Sequence, residues 1–416
     1  MWSPAIAAIL RMAHCRGAGV SVVPIYVGGS NSLLFHAAGL LDPRLRTLLL
    51  GRELLNKRGR TVEIRIGSAM SAAKILALPT DKERIEYLRW RTYLLASRNA
   101  YKPRTALPMR KQEATADAQP VIEAISVEPM AREVGALAPT CRLAGSSEFS
   151  AYVAKAAEIP SILREIGRLR EIAFRAAAEG TGQALDLDEF DAHYLHLFVW
   201  NEKKQEVVSA YRLAAADQVG RLYTATLFRY GPEFLDRMGP ALELGRSFVR
   251  VEYQRAFQPL LLLWKGIGAY VARNPRYRVL FGPVSISNQY QALSRRLIVS
   301  FLERHALLKD WMNLVASRNP FHRSTEPNTG LDLDDLGALV SDLEPTEVGV
   351  PVLLRQYLKL GGKLLGFNVD PQFANVLDGL ILVDLTKTEP KLLERYLGKA
   401  QAAQFLVFQK GKHDAK

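Results

Sequence analysis

Apolar positions recur along this chain with two periods, and the changes from one to the other mark its elements. Across 159–179 they return every three to four residues, which predicts a helix with one buried face. The runs 194–200 and 207–213 are short and rich in Leu, Val, Phe and Tyr, which predicts strands, with an acidic turn at 186–191 ahead of them. The stretch 241–288 then reads as strand, glycine-bearing helix and strand. Beyond it the pattern predicts a helix over 296–315, a loop-rich break over 319–332, a helix over 351–360, and strands near Gly366 and over 380–385.

The first hundred residues have a different organisation. A helix over 6–16, a strand over 20–27, a turn at 28–30, helices to residue 57 and a strand over 61–66 give only part of a sheet. Two strands this rich in Val and Ile need neighbours to cover them. The segment therefore resembles the back half of an α/β domain, which suggests a late start or a truncation. A charged helix over 80–98 follows, and then prolines at Pro103, Pro108 and Pro120 punctuate a polar stretch. The expected domains are 1–98, a linker over 99–145 and a second domain over 146–416.

With 416 residues there is enough chain for two or more globular domains. Cys15 and Cys141 are too few for a disulfide scaffold, which fits a reducing, cytoplasmic setting. No basic leader precedes the first apolar run, and no run reaches membrane-spanning length. Of the net charge of +13, residues 1–110 carry +12, from 18 Lys and Arg against 6 Asp and Glu. Such a segment suits an anionic membrane surface, met peripherally at the inner face. Nucleic acid is not expected, because no helix-turn-helix, zinc-finger or aromatic RNA-binding signature accompanies the charge.

Chemistry concentrates in the second half. Arg170 and Phe174 lie one helical turn apart, Asp188 and Asp191 flank the acidic turn, Arg212 ends a strand, and Glu243 precedes Arg246 by three residues. This ordered set resembles the acyl-homoserine-lactone synthases and, more closely, the acyl-carrier-protein-dependent ornithine-lipid N-acyltransferases, often labelled haemolysins. The second resemblance spans roughly 146–400, through runs such as Tyr-Leu-His-Leu-Phe-Val-Trp and Phe-Gly-Pro-Val-Ser-Ile-Ser. It implies an α/β fold of the GNAT, autoinducer-synthase-like type, a mixed sheet flanked by helices. It also implies transfer of a 3-hydroxyacyl group from the phosphopantetheine thioester of acyl carrier protein to the α-amine of ornithine.

An ammonium must lose a proton before it attacks a thioester, and a carboxylate held by an arginine can take it. Glu243 is the expected base. Arg246 would orient it or meet the substrate carboxylate bidentately. Asp188 and Asp191 would grip a cationic amino acid, Arg170 and Arg212 would bind its carboxylate or the carrier phosphate, and Phe174 is a further substrate-binding candidate. GNAT enzymes hold that phosphate on a Gln/Arg-x-x-Gly-x-Gly/Ala turn opening a helix. Lys265, Gly266 and Gly268 match it in part, with Leu263 in the first position. Ser285 and Ser287, after Gly282 and Pro283, are candidates for pairing with the pantetheine arm. No bound cofactor or metal is expected, since His193 and His196 have no third ligand at zinc spacing.

The N-terminal segment, through Val-Val-Pro-Ile-Tyr-Val-Gly-Gly-Ser-Asn-Ser, resembles the C-terminal half of lysophospholipid acyltransferases. The His-x4-Asp pair of that family, due before Pro24, is missing, so no O-acylation is expected from it. His305 and Asp310 have the same spacing by chance, within the helix expected over 296–315. Two other activities fit some of these features: an acyl-homoserine-lactone-type synthase, and a non-catalytic, haemolysin-like membrane-binding protein. The first is disfavoured by the chain's length and by Gly180, which stands where that family has tryptophan.

Overall fold

A computed structural model describes residues 5–15, 19–29, 31–59, 61–98, 118–321, 331–345 and 349–414. The chain forms two compact units, Met1–Pro103 with Glu326–Val350, and Arg104–Thr325 with Pro351–Lys416.

The larger unit is built on eight strands: β1 (Arg142–Gly145), β2 (Phe149–Lys155), β3 (Leu195–Asn201), β4 (Glu206–Ala215), β5 (Ala241–Val249), β6 (Val279–Ile286), β7 (Lys363–Asp370) and β8 (Val376–Asp384). Their order across the sheet is β7-β8-β6-β5-β4-β3-β2-β1. Every neighbouring pair is antiparallel except β5 and β6. Strands β3 and β4 are buried on both faces, which explains why their sequences run apolar without clean alternation.

One face of this sheet is covered by α1 (Val127–Ala136) and α2 (Pro160–Ala176). Proline at the first position starts α2, where its missing N–H costs nothing. Ile162, Ile166, Leu169 and Ala173 then recur at helical spacing and bury against Phe198, Ala210 and Phe248. Each large apolar side chain so buried contributes about 1.5–3 kcal/mol relative to exposure. Further helices are α3 (Phe257–Arg273), α4 (Ala292–His305), α5 (Val352–Lys359), α6 (Pro390–Leu397) and α7 (Lys399–Asp414).

Three expectations need correcting. Residues 127–145, expected to close a linker, carry α1 and the edge strand β1, and Met130 of α1 lies in the core; residues 99–117 lie outside the described residues. The helix expected over 296–315 stops at His305, because Leu308 donates its N–H to the Leu364 carbonyl of β7 and Val315–Ser317 pairs with Phe228–Tyr230. Tertiary pairing here overrides a pattern that would continue a helix. Finally, Leu333–Leu343 is a helix that groups with the N-terminal residues.

In that smaller unit, Ser21–Val22 pairs with Met70–Ser71 and Ile25–Val27 with Ile64–Ile66, so the single strand expected over 20–27 is split around Pro24. Leu10, Met70, Ile75 and Leu88 form its core. Asp342 accepts hydrogen bonds from the Ser68 amide and hydroxyl, and Arg91 lies 3.4 Å from it. The helices Leu33–Leu41 and Pro43–Asn56 leave Leu33, Leu40 and Leu41 more than 80% exposed. Among the described residues no helix is long and apolar enough to cross a membrane.

Candidate active site

The parallel pair at the sheet's centre is short. Ala241–Glu243 of β5 align with Val279–Phe281 of β6, and neither strand pairs with the other beyond that point. On its other edge β5 bulges against β4 between Gly245 and Phe248, and Arg246 sits in the bulge with φ 49°, a left-handed conformation that costs a non-glycine residue of order 1 kcal/mol. The two strands therefore open into a wedge beyond Glu243 and Phe281. Gly282 stands at its apex, where a Cβ would collide with the Leu244 carbonyl oxygen.

A band of polar side chains crosses the sheet face beside this wedge. Arg170 is fully buried and grips Asp191 with both ends of its fork at 2.9 Å, and its Nε donates to the Asp186 carbonyl at 3.1 Å. Arg212, also buried, contacts Asp188 and lies 3.3 Å from Asp191. Rings of Tyr194 and Tyr223 lie 5.1 Å from its guanidinium. Burial alone would raise the Asp191 carboxyl, but the Arg170 and Arg212 charges override it and hold the group well below the usual range.

Glu243 is sealed. One oxygen accepts from the Thr224 amide at 2.6 Å, and the other accepts from the Tyr223 amide at 3.2 Å and from the Tyr194 hydroxyl. A carboxylate so engaged fixes the 223–226 turn to β5, and at 1% exposure it is shielded from a substrate proton. The expected pairing of Glu243 with Arg246 is also absent from the contacts of these two residues. Arg246 instead lies 3.6 Å from Asp188 and 3.8 Å from Asp186, beyond hydrogen-bond range, and its Nε has no hydrogen-bond partner. Its guanidinium is held between the rings of Tyr223 at 5.0 Å and Phe373 at 4.6 Å, and Phe174 packs edge-on against Phe373.

Arg246 looks into a pocket of about 510 Å³, lined also by Asp188, Tyr223, Asp370 and Phe373. Behind it are carboxyls that pattern reading missed. Asp378 is pushed well above the usual carboxylate range, by burial first and then by Asp370 and Glu179, with Arg246 pulling the other way. Glu179 is 5% exposed and accepts from the Ser285 hydroxyl at 2.9 Å. Asp378 stands directly opposite Ser285 in the β6–β8 register. The signal for Asp378 was a lone carboxylate inside the apolar run Val-Leu-Asp-Gly-Leu-Ile-Leu-Val; the strand expected over 380–385 began two residues too late to include it.

The glycine turn is overturned. Lys265, Gly266 and Gly268 lie in mid-α3, where helical hydrogen bonds already use the backbone amides and none is free for an anion. Both glycines serve packing: a Cβ on Gly266 would sit 2.8 Å from Leu197, and one on Gly268 would strike the Tyr396 carbonyl. Gly268→Ala should accordingly cost about 1–3 kcal/mol of stability in thermal or urea unfolding. A stable alanine variant with weakened donor affinity would restore the anion-binding role. Ser285 and Ser287 do line the wedge, but their hydroxyls tie β6 to Glu179 and to the Ala177 carbonyl. His305 closes α4, while Asp310 lies in the next 3-10 turn. Among the described residues no group of three or more His, Cys, Asp or Glu side chains is placed to hold a metal ion.

Residues 169–265 match the acetyltransferase (GNAT) domain family. The chain is 32% identical to the glycine N(alpha)-acyltransferase of Phocaeicola vulgatus, over 58% of this chain and 82% of that protein. It is 31% identical to the enzyme of the same name from Bacteroides thetaiotaomicron, over 58% and 79%. The chain belongs to this N-acyltransferase family. The solved structure of the AHL synthase LasI aligns at 15% identity with a TM-score of 0.27, covering 37% of this chain and 79% of its own. The GNAT-type mixed sheet flanked by helices, expected from the resemblance, is thus borne out, as is N-acyl transfer to an amine.

Proposed function

We propose that this N-acyltransferase moves a 3-hydroxyacyl group from acyl carrier protein to the α-amine of ornithine, giving a lyso-ornithine lipid. The observation that carries the proposal is Arg246, a guanidinium lining the pocket whose Nε has no hydrogen-bond partner and whose neighbouring carboxylates stand 3.6 and 3.8 Å away, beside the open wedge of the sheet. A carboxylate is the ligand whose geometry matches those donors. Asp370 and Asp188, on the pocket wall, supply negative charge for a second ammonium such as the ornithine side chain. The pantetheine arm enters the wedge past Ser285 and Ser287, and its phosphate meets the free amides at the start of α3, which has no side-chain cap.

The amine, once neutral, bonds to the thioester carbonyl carbon; the carbon–sulfur bond breaks, and the pantetheine leaves as the thiol. Glycine is the second reading, favoured by the names of both relatives. Incubation with 3-hydroxyacyl carrier protein and each of ornithine, glycine, lysine and glutamine, following thiol release, decides between them. Release fastest with ornithine supports the first reading, and fastest with glycine the second. No release with any amine would sink both. The basic excess of residues 1–110 and the exposed leucines suit an anionic bilayer at the cytoplasmic face, where an amphiphilic product would be delivered. Vesicle binding unaffected by changes at Arg246, without acyl transfer, would favour a membrane-binding protein instead.

A further inference from the structure

N-acyl transfer needs a proton acceptor, because the attacking amine is an ammonium at neutral pH. Glu243 is occupied, and Asp186, Asp188 and Asp191 all neighbour arginines. Asp370 accepts from the Gln372 amide at 2.9 Å and from the Tyr223 hydroxyl at 3.4 Å. Glu179 differs from all of these. Among the described residues it has no cationic partner, and the Ser285 hydroxyl on the wedge wall is its side chain's hydrogen-bond partner.

Its position is set by the wedge itself. The Ser287 hydroxyl donates to the Ala177 carbonyl, and the Gln289 side chain donates to the Ala176 carbonyl at 2.7 Å. Ala178 is held with φ 59°, so the chain turns sharply just before Glu179. The charged and polar groups around Glu179 are Ser285 on β6 and Asp378 on β8, with Asp370 at the end of β7 and Arg246 on β5 acting on Asp378. On the α2 side, Glu171 and Arg175 pack against the adjoining Gly180.

We propose that Glu179 is the catalytic base of acyl transfer, taking a proton from the acceptor amine where β5 and β6 part. This rests on the N-acyl-transfer reading of the site. The carboxylate takes one proton from the ammonium, and the freed lone pair forms the carbon–nitrogen bond at the thioester. Collapse of the tetrahedral adduct breaks the carbon–sulfur bond; a second amine proton leaves with the sulfur as thiol, and Glu179 returns its proton to water. Burial pushes its carboxyl up to about 7, against the lowering effect of the Ser285 hydrogen bond, which suits proton transfer near neutrality.

The test is Glu179→Gln, with turnover at saturating amino acid followed from about pH 6 to about pH 10, beside the amine pKa range. For the wild type, kcat should rise through about pH 7. The variant should bind the amino acid by calorimetry, melt normally, and be slower by about 10²–10⁴-fold at neutral pH. That deficit should narrow as rising pH frees the amine without help. A deficit uniform across pH, or none, overturns the proposal. Ser285→Ala is the second variant: with its lowering hydrogen bond gone, the kinetic pKa of intact Glu179 should move up, and an unmoved profile also overturns it. A wild type that acylates no amine refutes the proposed function; an active wild type with a pH-flat deficit in the variant refutes only the base.

Discussion

Arg170→Leu is expected to destabilise the larger unit by about 3–5 kcal/mol, the usual result of removing one partner from a buried ion pair. The guanidinium is 1% exposed and is the joint between α2 and the loop that carries Asp186 and Asp191. Without it Asp191 is left as a buried carboxylate whose nearest remaining cation is Arg212, at 3.3 Å. Urea unfolding of the two proteins measures the difference, and a loss under about 1 kcal/mol would show that the pair does not hold the loop. Changing both members, Arg170→Leu with Asp191→Leu, should recover part of the loss, because the buried Asp191 carboxylate goes with its partner. The sign with pH follows from the lowered Asp191 carboxyl. Its contribution is complete above the ordinary carboxylate value of about 3.9 and fades as pH falls toward its lower folded value.

This cluster was legible in the sequence as a set of residue types, and less so as a set of partners. Arg170, Asp188, Asp191, Arg212 and Arg246 do converge on one sheet face, because α2, the acidic loop, β4 and β5 pack together there. Their pairing was misjudged at Glu243, whose partners are the amides of residues 223 and 224 and Tyr194. No spacing rule brings a backbone turn from twenty residues upstream into view. Asp370, Asp378 and Glu179 were missed for a related reason: none has a partner nearby in sequence, and they meet only because β7 and β6 both pair with β8 and the Ser285 hydroxyl bonds Glu179.

The glycine turn failed differently. Leu263, Ile267 and Val271 continue the helical period straight through Gly266 and Gly268, so the pattern already favoured an unbroken helix over a turn. The partial motif match at Lys265, Gly266 and Gly268 does not interrupt that period, and the helix expected within 241–288 runs through all three. The wedge could not be foreseen from either, since it depends on the parallel β5–β6 pairing ending after three residues while β6 continues to pair with β8 along its whole length.

Arg246 carries the second large effect, and here the loss should appear in catalysis. Its guanidinium is oriented by two aromatic rings and is not drawn into a hydrogen bond by its neighbouring carboxylates, which leaves the fork free for a substrate carboxylate. Arg246→Ala should reduce kcat/KM for the acceptor amino acid by about 2–5 kcal/mol, or roughly 30- to 5,000-fold, as truncating one partner of a buried charged contact does. Arg246→Lys should fall between, because an ammonium keeps the charge and loses the bidentate geometry. The KM for the acyl donor should move little in either variant. A simple amine of similar size without a carboxylate should be acylated slowly by the wild type and no more slowly by the alanine variant. If that amine suffers the same loss as the amino acid, Arg246 is holding Asp186 and Asp188 in place rather than reading the substrate.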